Sequence, residues 1–344
     1  MLSETISNHA KFAFYGAQVV AYGAYVAIKH LLGRSPECFI VSNHDNNPRE
    51  IEGLPVVMLE AVAKDTLIII SVTELLQDEI ADILHSSGHN AFRLTAHEEH
   101  MLMSAYFASI GEFPLAEKAN EANTEVTMFQ VRHYMDVPLE NQPVLEPWEV
   151  SIQAGAELTD IRICEILDNE GNNISLKNKQ YCEASVMYWV WKNASCPWVG
   201  IEHYRRRLLV CPEMLGHDVD AVLPLPYICY PNALTQFRRF VSENVIYDLL
   251  GAINMLYPCE YESIAGCLNS EYLYAYNLVA ARKSTYSDYC EWAFNITEYI
   301  ESQKKMSIMD SRALAYIVEM LTSLYFMSNE KNIRIKHAEK AIYK

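Results

Sequence analysis

The chain has 344 residues, 51% hydrophobic and 21% charged, with a formal net charge of −17; this excludes a disordered chain, leaves length for two ordinary domains, and argues against nucleic acid as a partner, because phosphates repel an acidic surface. No segment has the ~20 uncharged apolar residues of a membrane span, and residues 1–11 lack the pattern of an export signal. Nine cysteines without a Cys-x-x-Cys pair read as reduced thiols, so the expectation is a cytoplasmic enzyme or binding protein.

Lys11–Tyr15 reads as a short apolar strand running into Gly16-Ala17-Gln18, and Val19–Leu32 has helical apolar spacing. Cys38–Ser42 and Leu54–Leu59 read as further strands, and Thr66–Val72 is a continuous β-branched run of the kind buried on both faces. Thr73 is placed to cap a helix over residues 74–87, with Gly88 after it, and Ala91–Leu94 is one more strand. Strands alternating with helices predict a parallel sheet, hence a small Rossmann-like unit over residues 1–118. Gly16 and Gly23 do not make the Gly-x-Gly-x-x-Gly fingerprint of a dinucleotide site. A scaffold or regulatory role is therefore favoured over nicotinamide chemistry, and no organic cofactor is expected.

His97-Glu98-Glu99-His100 has two histidines one residue too close for a His-Glu-x-x-His zinc motif, and reads as a solvated helix start. The polar stretch over residues 112–124 marks a boundary, and a second domain is expected over residues 124–330. Its first strand alternates from Val126 and ends in His133-Tyr134-Met135-Asp136. A proline-bearing loop over 138–148 leads to Val150–Gln153 and the small residues Ala154, Gly155 and Ala156, which admit close approach to backbone. After a loop rich in Asp, Asn and Gly, Ser175 is placed to cap a helix that runs to Asn193, with Lys177 and Asn178 in its first turn. Phosphate binding at this helix start and plain capping both account for those residues. Residues 331–344 form a basic tail carrying Lys331, Arg334, Lys336, Lys340 and Lys344. The tail is read either as a soluble terminal helix or as a contact with anionic lipid.

The stretch most suggestive of chemistry is Pro197–Leu208. Trp198–Ile201 looks like the buried end of a strand, and it stops at Glu202, His203, Tyr204, Arg205, Arg206 and Arg207. In open α/β sheets ligands sit beyond the carboxyl ends of strands. By composition alone, an edge strand entering a basic turn is an equally good account. Strict alternation would place Glu202, Tyr204 and Arg206 on one side and His203 and Arg205 on the other.

Several segments in order carry a resemblance. Gly200-Ile201-Glu202-His203-Tyr204-Arg205-Arg206 resembles a Gly-Leu-x-His-Tyr-Arg-Arg strand end, and Asn172–Asn178 followed by Tyr188–Asn193 resembles a helix opening in Asn-Ile-Ser-x-Lys-Asn and closing in Tyr-Trp-x-Trp-Lys-Asn. Ile152–Ala156, Tyr276-Asn277, Tyr289–Phe294 and the pair Arg312 and Glu319 match in the same order, and Tyr15-Gly16-Ala17-Gln18 matches an N-terminal unit found in similar members. Together these resemble a family of bacterial capsular and exopolysaccharide glycosyltransferases long catalogued as a domain of unknown function (DUF4422-like). Asn172, Arg207-Leu208 and Asp310 depart from its pattern.

The resemblance implies a GT-A-like α/β glycosyltransferase domain with a mixed sheet. It implies transfer of galactose or galactofuranose from a nucleotide-diphosphate donor, UDP-linked, to a growing surface polysaccharide or lipid-linked glycan at the inner face of the plasma membrane. Mn or Mg is the implied metal, with Glu202 or His203 as ligand. The departing diphosphate needs cations and the acceptor hydroxyl a base, which makes Glu202, His203, Arg205, Arg206 and Asp310 the catalytic candidates. His133, Gln153, Gly155, Ala156, Asn173, Ser175, Lys177, Asn178, Tyr204 and Asn277 are the donor-binding candidates. Asp218-Val219-Asp220 has the spelling of a metal motif but reads as a structural turn. Arg312 and Glu319, seven apart on one helix, read as a structural pair.

Overall fold

A computed structural model describes residues 2–119, 124–303 and 312–344. Two sheets organise them. The first has six strands in the order Glu50–Ile51, Leu54–Val57, Phe39–Ile40, Phe12–Tyr15, Leu67–Ile70 and Ala91–Arg93. All neighbours in it are parallel except the first pair. Phe12–Phe14 and Ile68–Ile70 are fully buried, as strands covered on both faces must be. The helix Val19–Leu32 follows the central strand and ends on Gly33 in the left-handed region. Thr73 precedes the helix Glu74–Ser86 but makes no side-chain cap bond. Thr95 does cap the helix Ala96–Ile110, in a reciprocal box with Glu98. The His97–His100 stretch is therefore this helix's first turn.

Gly16 has φ +129°, and a Cβ there would lie 2.5 Å from the Ser71 carbonyl oxygen. Its need for glycine comes from the neighbouring strand end, with no ligand required to explain it.

The second sheet is mixed. Its order is Ile335–Ala338, Ala221–Pro224, Val279–Arg282, Trp198–His203, Val126–Arg132, Glu149–Gln153 and Ile166–Leu167. The strands Arg206–Leu208 and Lys340–Ile342 pair with each other and extend the sheet beside His203. Gly200 sits where three central strands meet: a Cβ there would strike the Met128 sulfur and lie 2.9 Å from the Val279 oxygen. Gly200→Ala is expected to cost about 1–3 kcal/mol by overpacking, read as a lowered urea midpoint at unchanged slope.

Two expectations about elements need correction. The helix expected from Ser175 to Asn193 is three pieces, Ser175–Lys177, Asn178–Tyr181 and Ala184–Asn193, broken at Cys182, whose φ is +47°. The tail is neither helix nor free basic segment. It supplies the strands Ile335–Ala338 and Lys340–Ile342, and Arg334, Lys340 and Lys344 face Asp220, Glu99 and Asp78 at 2.7, 3.6 and 2.6 Å. Asp220 also receives Arg282, and these bonds hold its carboxyl down at about 2. This agrees with the reading of Asp218–Asp220 as a structural turn. Among the described residues no helix is long and apolar enough to cross a membrane.

Candidate active site

Trp198–His203 runs parallel to Val126–Arg132 and antiparallel to Val279–Arg282 at the middle of the second sheet. Tyr204 and Arg205 then turn the chain back, so that His203 stands opposite Arg206. Cross-strand partners share a face. The turn therefore overrides simple alternation: Arg206 joins His203, and Arg207 joins Glu202, with Nε 3.6 Å from Oε1.

The two faces differ sharply. Glu202 is 1% exposed. Burial and the nearby Glu149 push its carboxyl up to about 8, against the pull of Arg207. Arg207 is itself enclosed, bonded to Glu149 and to the Val144 carbonyl at 3.1 Å. A carboxyl walled in this way faces no ligand. On the other face, burial and the cations of Arg206 and Arg205 push His203 down to about 3, so its ring is neutral at pH 7. Its Nδ1 accepts the Arg205 N–H at 3.4 Å, leaving the ring proton on Nε2. Glu202 and His203 point to opposite sides of one strand and cannot grip one ion together. Among the described residues, no group of three His, Cys, Asp or Glu stands together to hold a metal ion.

A cavity of about 340 Å³ opens beside Arg206. Its wall includes Glu183, Arg206, Tyr276, Arg312, Tyr316 and Glu319. Arg206 lies over the Tyr276 ring, 4.3 Å from its centroid. Glu319 comes from the helix Ala313–Ser328, where it is the one charged residue in an otherwise apolar or neutral sequence. Its Oε1 accepts the Tyr276 N–H at 2.9 Å. Burial pushes its carboxyl up to about 7, with Glu183 adding to the rise, while the Tyr276 N–H and Arg206 oppose it. Asn277 fixes Glu183 through a 3.0 Å bond from Nδ2 to Oε1, and its Oδ1 accepts Thr322 Oγ1 at 2.9 Å.

Cys182 and Tyr276 at this wall, and Asn277 beside it, all have φ between +47° and +72°. Non-glycine residues in that region cost energy, and they gather where function over-determines the backbone. A carboxylate that titrates near neutrality, beside a guanidinium in a concave site, can take a proton while the cation steadies developing negative charge.

The donor-binding candidates other than Asn277 fall outside this cavity, and most of them hold the fold. Asp168, fully buried, is the hub. Its carboxylate accepts the Gly155 and Ala156 N–H groups, each at 2.9 Å, together with the Ser175 hydroxyl at 2.5 Å and the Ser185 hydroxyl at 2.7 Å. Asn178 donates to Ser185 Oγ and to the Cys182 carbonyl. The close approach at Gly155 (φ +65°) is to Asn178, whose Oδ1 would lie 2.7 Å from a Cβ. Ser175 therefore caps no helix. Asp168→Ala is expected to cost at least about 3 kcal/mol, since it strands four buried donors, seen as a fall in the urea midpoint.

Gln153, fully buried, clamps the following loop through Ile161 and Ile163. Asn173 Oδ1 accepts the Ser175 N–H, and Lys177 pairs with Glu301 at 2.8 Å. His133 and Tyr204 lie at the carboxyl ends of the two central parallel strands. There the guanidinium carbons of Arg132 and Arg205 stand 5.7 and 5.1 Å from the Tyr204 ring centroid.

Of the expected site residues, Arg206 lines the cavity and Asn277 braces it. Asp310 lies outside the described residues. Arg312 and Glu319 both line the cavity, where Glu319 accepts the Tyr276 N–H. Glu319 and Glu183 were missed as chemistry. A lone acid on an otherwise apolar helix was the available signal for Glu319.

Comparison with known proteins agrees with this architecture. The family model described as a domain of unknown function (DUF4422) matches residues 131–330. No curated protein is matched. The fold is similar to that of the solved apo structure of the WbbM bifunctional glycosyltransferase, with a TM-score of 0.55 and 21% identity. The match covers 64% of this chain and 45% of that one, so this chain spans less than half of that protein's length. The mixed α/β architecture is that of a GT-A-like α/β fold.

Proposed function

We propose that this chain, which belongs to the DUF4422 family, is a glycosyltransferase that moves a sugar from a nucleotide-diphosphate donor to a glycan acceptor. The observation that carries the reading is the cavity in which Glu319, poised near pH 7, stands with Arg206. In an inverting transfer the acceptor hydroxyl attacks the anomeric carbon, its proton passes to Glu319, and the bond to the diphosphate oxygen breaks. Arg206 offsets the charge that grows on the leaving group. Neutral His203 and the Arg205 backbone brace the hairpin that carries Arg206. The fold likeness to a bifunctional glycosyltransferase supports the class of reaction.

UDP as the nucleotide, galactose or galactofuranose as the sugar, and a surface polysaccharide or lipid-linked glycan as the acceptor rest on the resemblance in sequence.

The test is a thermal-shift screen of nucleotides and nucleotide sugars, with and without Mn, followed by UDP release from UDP-galactose. Ligand that binds the native state raises Tm as its concentration passes Kd. Stabilisation by UDP with slow UDP release supports the reading. Folded protein that responds to no nucleotide overturns it and leaves a non-catalytic protein of the same fold.

A further inference from the structure

A second cavity, of about 580 Å³, lies between the two sheets' units. From the first unit it takes Gln18 and Tyr22, after the central strand and in the first turn of the helix Val19–Leu32, and Asn47, from the loop after the strand Phe39–Ile40. From the second unit it takes Tyr230, Arg239 and Phe240. Its volume is within the ~300–1,000 Å³ of small-molecule sites. In a chain of net charge −17, none of its lining residues is Asp or Glu.

Of its two arginines, Arg238 is engaged by Glu243 at 2.7 Å. Arg239 meets only the Asn46 carbonyl, at 2.7 Å across the unit boundary, and forms no ion pair among the described residues. The Gln18 side chain is turned to Asn47 Oδ1 at 2.6 Å, away from its own helix, so it does not cap the helix start that borders the cavity. Tyrosine and phenylalanine rings with side-chain amides suit a hexose, and a guanidinium without a carboxylate suits an anion. This cavity shares Gln236 and Phe240 with the cavity that holds Glu319, and Phe240 stacks on Tyr316 of that wall at 5.4 Å.

We propose that the cavity between the units is an acceptor subsite for an anionic hexose, a phosphate ester or a uronate, held next to the transfer site by Arg239 and the amides. The proposal rests on the transferase reading for the word acceptor, though not for the binding. It also accounts for the first unit, whose loops build half of the subsite.

The test is saturation-transfer NMR on the full chain with glucose 1-phosphate, glucuronate, glucose and inorganic phosphate, on the wild type, Arg239→Gln and Arg206→Gln. The expected result is binding of glucose 1-phosphate or glucuronate, or both, tighter than glucose. Arg239→Gln should weaken it at least tenfold and Arg206→Gln less than twofold, with UDP binding unchanged by Arg239→Gln. Preference for one probe assigns the anion as phosphate or carboxylate. Equal binding of inorganic phosphate, displacement by UDP, or indifference to Arg239→Gln overturns the proposal. If the protein binds no UDP yet shows the Arg239 effect, the transferase reading fails and the anionic-sugar site stands.

Discussion

Glu319→Gln is expected to lower turnover by about 10²–10⁴-fold, the range for loss of a general base. Wild-type activity should rise with pH through about 7, as the carboxyl that burial holds up loses its proton. The residual activity of the variant should lack that limb. Stability should move the other way. A carboxyl whose folded value exceeds its usual 4.5 favours the folded state at low pH and loses that advantage as pH rises through 7. Glutamine has no proton to lose, so above pH 7 the variant should be at least as stable as the wild type. Rate profiles and urea melts at pH 6 and 8 separate the two effects. Wild-type turnover in Glu319→Gln would remove the residue from the reaction.

Arg206→Ala is expected to cost about 10²–10³-fold in kcat, comparable to loss of one preorganised donor to a developing oxyanion. It carries a second signature. Arg206 holds the Glu319 carboxyl down, so its removal should move the limb of the rate profile to higher pH. Arg206→Lys should restore part of the rate and most of the limb's position, since it keeps the charge and loses the planar fork. Arg205→Ala should cost less, because Arg205 packs on Tyr204 and stands one position away from the cavity wall. An Arg206→Ala variant with unshifted profile and normal kcat would dissociate the guanidinium from both roles.

The parts of this molecule legible in its sequence are those set by local period. The helix Val19–Leu32 and the strand around Ile68–Ile70 follow directly from apolar spacing. The motif around His203 and Arg206 was legible as a place, and less so as a geometry. A two-residue turn reverses which side chains share a face, and nothing in the alternation of the residues announces it. Ser175 looked like a cap because it precedes a helical stretch. Its real partner, Asp168, is brought close only by folding of the intervening loop. Glu319 was visible as an acid seven positions from Arg312. Its chemistry depends on Tyr276, Glu183 and Arg206, which arrive from three other segments. The strands Ile335–Ala338 and Lys340–Ile342 were obscured by their lysines; the charge of Lys340 is answered by Glu99, far away in sequence.

Those last strands bear on the order of assembly. Lys340–Ile342 pairs with Arg206–Leu208, more than a hundred residues earlier in the chain, and the Tyr343 N–H reaches the Arg205 carbonyl at 2.8 Å. Contacts so distant in sequence close late, because the loop between them must first lose its freedom. During synthesis the hairpin that bears Arg206 leaves the ribosome with an unpaired edge. It waits there, exposed to mispairing, until residues 340–343 emerge to cover it.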